Sequence, residues 1–377
     1  MDFSIETGDL QRAIKLLSVT AKMNTKDPTG MVLIQADQDN CIKFLSNNNS
    51  TALSYVSNKA IVRAPGTAVI EYSKIKSFAS SFPSWNEKYG VKDFNFLMDD
   101  NKLNVSLVNT YEDGKTSRGN LALHVYDVYN IRAPKPIEAP TFTLNSNIFR
   151  SATSKVLYAI DPSGNQPFIQ GMNINFDDDN ICFVGTTGKM LSEYKVKNIS
   201  DLREGDFTLR YDFIMALRRA LGEDTQITFE FDSREVKSAF ENICIWGRII
   251  IGHEFPNYKP VLKKYDNAIM LDKEVVVSNL APFADVLDPD DNYRLTVTIK
   301  DKIITFSCDV ASFTYDNEVD FAGEFIIDVN GQSMIQTVDV IKDDRILMQF
   351  SDDKGVLLFD SGNFEDQKAL IAPLRRR

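Results

Sequence analysis

Two rhythms of apolar residues run along the chain, one at helical spacing and one at strand spacing, and they recur in the same order three times. The first stretch opens with Phe3-Ser4-Ile5 and continues as an amphipathic helix from about Asp9 to Met23, with Leu10, Ala13, Ile14 and Leu17 on one side. The second opens with Phe142-Thr143-Leu144 and predicts a helix through Ile148, Ala152, Val156 and Ala159. The third opens with Ile269-Met270-Leu271 and predicts a helix through Val276, Leu280, Phe283 and Leu287. After each helix comes a hairpin pattern, with alternating runs around polar turns at Asp37-Gln38-Asp39-Asn40, Asp177-Asp178-Asp179-Asn180 and Lys300-Asp301-Lys302. The acidic triplets therefore read as turns.

A glycine then leads into another strand and a second helix. Gly66 precedes Ala68-Val69-Ile70 and a helix over 75–78; Gly205 precedes Phe207-Thr208-Leu209 and 213–217; Gly323 precedes Phe325-Ile326-Ile327 and 334–338. Further alternating runs near Phe94, Leu103, Ile227, Ile245, Ile346 and Val356 close the three units. Boundaries fall at the proline-rich Ala133-Pro134-Lys135-Pro136-Ile137-Glu138-Ala139-Pro140 and at Lys263-Lys264-Tyr265-Asp266-Asn267, giving expected domains 1–138, 139–264 and 265–377. The fold class is α+β: three repeated domains, each with two helices packed on antiparallel sheet.

Composition narrows the classes. No stretch approaches the roughly 18 consecutive apolar residues of a membrane span, and the acidic start Met1-Asp2-Phe3-Ser4-Ile5-Glu6 is unlike a signal peptide, so the expected location is cytoplasmic, with no membrane partner. Cys41, Cys182, Cys244 and Cys308 lack CxxC spacing and read as buried thiols, with no metal implied. Net charge is −11, which argues against a globally basic nucleic-acid binder but leaves local cationic surfaces open.

Three local matches carry a family resemblance. Asn165-Gln166-Pro167-Phe168-Ile169-Gln170-Gly171-Met172, followed by Val184-Gly185-Thr186-Thr187-Gly188-Lys189-Met190-Leu191, resembles a strand and the ATDGHRL stretch of the beta subunit of bacterial DNA polymerase III. Ile249-Ile250-Ile251-Gly252-His253-Glu254-Phe255-Pro256-Asn257-Tyr258 resembles that family's G-x-FPDY close of domain two, and Leu370-Ile371-Ala372-Pro373-Leu374-Arg375 resembles its VVMPMR ending. With the triple repeat, the resemblance spans essentially the whole chain. Lys189-Met190 in place of His-Arg, Lys259-Pro260 after the tyrosine, and the extra Arg376 and Arg377 mark a divergent member, bacterial or phage-encoded.

The resemblance implies a sliding clamp without catalytic activity: a head-to-tail homodimeric ring whose helices surround double-stranded DNA, tethering a DNA polymerase and served by a clamp loader. Charge fits that expectation in part. The helices of domain one carry Arg12, Lys15, Lys22, Lys74 and Lys76 against Asp9 and Glu71, a balance of +3; those of domain two carry Arg150, Lys155, Arg218 and Arg219 against Asp212, also +3. Domain three comes to −3. The nine cations are the expected DNA contacts, made to phosphates without base readout. Domain one of one subunit is expected to meet domain three of the other, with Lys74 and Lys76 facing Asp309, Asp316, Glu318 and Asp320.

Carried over by position, the family's pocket for short partner peptides with leucine and phenylalanine anchors comprises Ile169, Thr186, Gly188, Met190, Leu191, Pro256 and Val261. From the third domain come Asn330, Val356, Ile371, Ala372, Pro373, Leu374 and Arg375. Enzyme readings find little support. The only histidines are His124 and His253, and no HExxH, GxSxG or complete phosphate loop occurs; Gly185-Thr186-Thr187-Gly188-Lys189 is too short for the last. Asp288-Pro289-Asp290-Asp291 reads as a turn rather than a calcium loop. No cofactor is expected. A two-domain, trimer-forming clamp and a non-clamp DNA-metabolism scaffold are the alternatives.

Overall fold

The computed structural model describes residues 1–377 except 26, 85–88, 128–130, 132–140, 178, 199–201, 203, 253, 316–317, 322, 352–354, 362–365 and 376–377. The linker at 133–140, His253, Asp316, Arg376 and Arg377 thus lie outside the described residues.

Element order repeats three times. The first repeat runs β1 (Asp2–Glu6), α1 (Thr7–Leu17), β2 (Met31–Ala36), β3 (Ile42–Asn47), β4 (Thr51–Ser57), β5 (Ala60–Ala64), β6 (Gly66–Glu71), α2 (Tyr72–Ala79), β7 (Gly90–Asp99), β8 (Lys102–Thr110) and β9 (Thr116–His124). The second is β10 (Thr141–Asn145), α3 (Ser146–Val156), β11 (Gly171–Phe176), β12 (Asn180–Thr186), β13 (Met190–Lys197), β14 (Gly205–Arg210), α4 (Tyr211–Ala220), β15 (Gln226–Phe231), β16 (Glu235–Phe240) and β17 (Ile243–Arg248). The third is β18 (Asn267–Asp272), α5 (Lys273–Leu280), α6 (Phe283–Val286), β19 (Arg294–Lys300), β20 (Ile303–Ser307), β21 (Ser312–Tyr315), β22 (Glu324–Asn330), α7 (Gly331–Val340), β23 (Arg345–Phe350), β24 (Leu357–Ser361) and β25 (Gln367–Ile371). This is the expected α+β class.

Each repeat builds two half-sheets of four strands, to which repeat one adds β5 as a fifth strand beside β1. The first halves are ordered β6-β2-β3-β4, β14-β11-β12-β13 and β22-β19-β20-β21; the second halves are β1-β7-β8-β9, β10-β15-β16-β17 and β18-β23-β24-β25. Half-sheets then fuse. Antiparallel pairing of β4 with β17 joins repeats one and two, and pairing of β13 with β25 joins repeats two and three, each fusion giving an eight-stranded sheet. The remaining halves stay separate, so β9 and β21 are sheet edges among the described strands.

Chain contacts accordingly fall into two compact units, Met1–Asn147 with Asp212–Ile249 and Ile148–Tyr211 with Ile250–Arg377, each holding one fused sheet. The middle repeat contributes to both. In the second unit, alternating residues of β19, β20 and β22 send Leu295, Val297, Ile299, Ile304, Phe306, Phe325 and Ile327 into one core with Phe283 and Met334 from the helices. Gly171 is required where β11 lies against β14, because a β-carbon there would stand 2.1 Å from the Leu209 carbonyl oxygen.

Three helix boundaries differ from the sequence reading, one of them in the second repeat, where α3 ends at Val156 and Leu157–Ala159 tighten into a 3-10 turn. The first helix ends at Leu17 rather than near Met23, since Ser18, Val19 and Thr20 close it with turn bonds and the buried Thr20 hydroxyl bonds to Ser46. Lys22 is therefore not on a helix. The third repeat's first helix is interrupted between Leu280 and Phe283, where Pro282 has no N–H to continue the ladder.

Candidate functional site

Seven of the nine expected DNA contacts lie in the first unit. On α1, Gly8, Arg12, Lys15 and Ser18 are exposed at spacings of four, three and three residues, a single outward stripe opposite buried Leu10, Ala13, Ile14 and Leu17. On α2, Lys74 is exposed while Lys76 is half-buried with its ammonium 5.5 Å from the Tyr72 ring centroid. Lys22 is exposed beyond the end of α1, its backbone N–H bonded to Thr29. Arg219 is exposed and Arg218 half-buried in the last turn of α4. Arg150, half-buried on α3, belongs to the second unit.

Lys155 corrects the expectation. It is only 6% exposed, its ammonium lies 3.8 Å from the Tyr194 ring centroid, and Asp366 pairs with it at 3.6 Å. A group so enclosed braces the fusion of β13 with β25 and does not present charge to a polyanion. Burial pushes its pKa down, opposed by Asp366.

The other fusion has a related but open arrangement. Arg12 pairs with Glu241 at 2.7 Å, both about half exposed, and its guanidinium carbon lies 5.6 Å from the Tyr55 ring centroid. The Tyr55 hydroxyl donates to Asp9 Oδ1 at 2.6 Å, and its pKa is raised, first by burial and then by that carboxylate. Tyr55 and Tyr194 stand three residues after Ala52 and Leu191, which close equivalent hairpins; Tyr315 stands three after Ser312 in the same way. Sequence reasoning overlooked this tyrosine, although the repeat alignment places it at one position three times. The Tyr315 hydroxyl accepts from the Asp272 N–H at 3.0 Å.

The residues of the expected peptide pocket all lie in the second unit, and several are brought together. Met190 pairs with Ile371 and Leu191 with Leu370 across β13 and β25. The Thr186 hydroxyl donates to the Met190 carbonyl at 2.8 Å and accepts from the Gly188 N–H at 3.0 Å. Gly188, at φ +82°, takes the left-handed conformation of the hairpin turn and has open space where a side chain would stand. This turn opens into β13 and no helix follows it, so it is no phosphate loop. Val356 packs against a cluster of Cys182, Val184, Leu191, Tyr258, Leu262, Leu358 and Leu370. Burial pushes the Cys182 thiol up to about 11, keeping it protonated.

Exposure divides the set. Ile169, Thr186, Met190, Leu191 and Ile371 are buried and shape the surface from beneath, whereas Gly188, Pro256, Val261, Pro373 and Arg375 are exposed and Asn330, Val356, Ala372 and Leu374 half-buried. Asn330 is also the cap of α7, accepting from the Ser333 N–H at 2.8 Å. Aromatic contacts from Phe168 to Phe255 and from Phe255 to Tyr258 continue the apolar surface. The motif containing the last two was visible in the sequence, but only its proline was drawn from it. Asp288 caps a short turn by accepting from the Asp290 N–H, and Asp291 pairs with Arg294. Among the described residues no group of three or more His, Cys, Asp or Glu side chains could hold a metal ion, and no helix is long and apolar enough to cross a membrane.

No family model matches the sequence. A curated beta sliding clamp from Treponema pallidum is 24% identical over 178 residues, an alignment covering 47% of this chain and 47% of that protein, about half the length of each. Solved structures align along the full length. The DNA polymerase III subunit beta of Pseudomonas aeruginosa superposes with a TM-score of 0.89 at 14% identity, covering 100% of both chains. That of Thermotoga maritima gives 0.82 at 15% and the beta sliding clamp of C. crescentus 0.86 at 16%, again with 100% of both chains covered. The chain therefore carries, from end to end, the three-repeat fold of these beta sliding clamp structures, and over about half its length its sequence is similar to that of a curated beta sliding clamp.

Proposed function

We propose that this chain is a DNA sliding clamp: two copies close head to tail into a ring around double-stranded DNA and tether a DNA polymerase. The observation that carries the reading is the unused pair of edges. Repeats one and two are fused through β4 and β17, and repeats two and three through β13 and β25; the strands equivalent by repeat order, β21 and β9, both end their sheets. Facing the core from β17 and β25, Ile243, Ile245, Gly247, Gln367, Ala369 and Ile371 are buried, whereas Ser117, Gly119 and Leu121 on β9 remain half exposed. A partner copy's β21 supplies the cover, and a long edge strand left open would be an aggregation site. Repeat one of one copy then meets repeat three of the other, with repeat boundaries near 138 and 264.

Within such a ring Arg12, Lys15, Lys22, Lys74, Lys76, Arg150, Arg218 and Arg219 supply phosphate contacts, and Lys155 does not. The surface around Gly188, Pro256, Val261, Val356 and the segment 372–375 takes short apolar peptides of the polymerase and of the loader. Activity needs no cofactor and no catalytic group, and its DNA substrate places it in the cytoplasm at the nucleoid.

Native mass spectrometry should give a dimer; a trimer would favour the two-domain type of assembly. Protein assembled on a nicked plasmid and crosslinked between β9 and β21 should stay on that plasmid at high salt and leave when the plasmid is cut to linear form. Retention that ignores linearisation would refute topological linkage. Deleting residues 373–377 should abolish peptide binding while the dimer persists.

A further inference from the structure

We propose that Arg294 is the latch that holds the C-terminal segment in its docked position and thereby pre-forms one wall of the peptide surface, an inference that rests on the pocket reading above. Sheet pairing cannot hold that segment. The register of β25 ends at Ile371, the last sheet-like bond is from the Ala372 N–H to the Lys189 carbonyl at 2.8 Å, and Pro373 has no N–H to continue it.

Beyond the proline the chain is caught by other groups. The Leu374 N–H donates to the Asp328 backbone carbonyl at 2.7 Å, and the Arg375 carbonyl accepts from Arg294 Nη2 at 3.2 Å. Arg294 is itself fixed. Its Nε donates to Asp291 at 3.0 Å and its Nη1 to the Asp328 carboxylate at 2.9 Å, while the Thr296 hydroxyl donates to the other Asp328 oxygen at 2.7 Å. All three charged side chains are at most 20% exposed. The rigid planar fork thus uses three nitrogens on three elements: the turn before β19, strand β22 and the tail. A lysine at this place keeps the charge but cannot serve both carboxylates and the tail carbonyl together.

Arg294→Lys tests the latch, with Asp328→Asn as a second variant acting on the same network. Both should fold, melt close to the parent and remain dimeric. Hydrogen exchange at the Leu374 amide should accelerate, and affinity for a synthetic peptide with leucine and phenylalanine anchors should fall about tenfold, the order of the cost of fixing one residue's backbone at binding. DNA binding should not change. If the parent chain binds the peptide and Arg294→Lys binds it equally well, the latch is refuted while the pocket stands. If the parent chain itself ignores the peptide, the pocket reading fails and the latch has no function to serve. Unchanged exchange at Leu374 would also overturn the latch, whatever the peptide does.

Discussion

Replacing Lys155 by methionine separates a brace from a DNA contact. The lysine stem contributes four methylenes to a closed site, and truncation to alanine removes three of them, about 2.4 kcal/mol at about 0.8 kcal/mol each. The ammonium over Tyr194 at 3.8 Å adds about 1–2 kcal/mol. Its pair with Asp366, whose side chain is 41% exposed, adds less than about 1 kcal/mol. Against these stands the cost of burying the charge, several kcal/mol. Methionine keeps most of the packing and removes both the gain and the cost, so Lys155→Met should change unfolding free energy by no more than about 1 kcal/mol, while Lys155→Ala should lose about 2 kcal/mol more than that. Burial lowers the folded pKa below the ordinary lysine value of 10.5. The unfolded chain therefore binds more protons just below that pH, so parent stability should rise as pH climbs through this window; Lys155→Met should abolish the rise. The decisive assay is DNA affinity by fluorescence anisotropy against salt. Lys155→Met should leave the slope unaltered, whereas a lost phosphate contact would reduce it by about 0.9. A reduction of that size would refute the structural role assigned to Lys155.

Arg12→Ala should lower the salt slope by about 0.9, and Glu241→Gln should tighten DNA binding two- to fivefold, the range of an exposed ion pair worth about 0.5–1 kcal/mol; equal binding by parent and Glu241→Gln would mean that Arg12 does not reach DNA. Tyr55→Phe leaves the buried Asp9 carboxylate without its hydroxyl donor and should cost about 1–3 kcal/mol in urea unfolding. Gly171→Ala should open the pairing of β11 with β14 and lower the melting temperature sharply, whereas Gly188→Ala, clear of neighbours but at positive φ, should cost only about 1 kcal/mol.

The threefold order was legible because glycines and alternating strands mark it at nearly equal intervals. The strands that fuse the sheets were harder to see. In β4, Thr51, Ser54 and Ser57 are buried with their neighbours, because this strand is paired on both sides and covered on both faces, so the alternation that identifies a half-buried strand is absent. In β13, Glu193 is only 3% exposed and answers Lys195 at 3.2 Å, so a carboxylate that reads as solvated is internal. Lys155 misled for the same reason. It is the tenth residue of α3, and the tenth residue of α1 is buried Leu16; aligning the two repeats would have marked a core position occupied by a cation.

A net charge of −11 is compatible with the proposed action on DNA. Of the nine cations expected to meet DNA only Arg12, Lys15, Lys22, Lys74 and Arg219 are exposed, and Arg12 is already answered by Glu241, so on the proposed reading the phosphate contacts are few and direct binding to linear DNA should be weak at physiological salt. A protein that depended on contacts for residence would need the reverse distribution. In the proposed ring, enclosure removes that need, and for enclosure the critical surface is the pair of open edges on β9 and β21 rather than the helices. Arg118 lies on β9, and Lys115, paired with Asp113 at 2.8 Å, stands at the turn that leads into it, so in the proposed ring the repeated Arg118 charge opposes pairing with a second β9 while Gly119 and Leu121 are left for one matching strand. On the proposed reading, weak attraction to DNA and a selective edge are two requirements of one mode of action: the first would let the ring slide, and the second would determine that it closes.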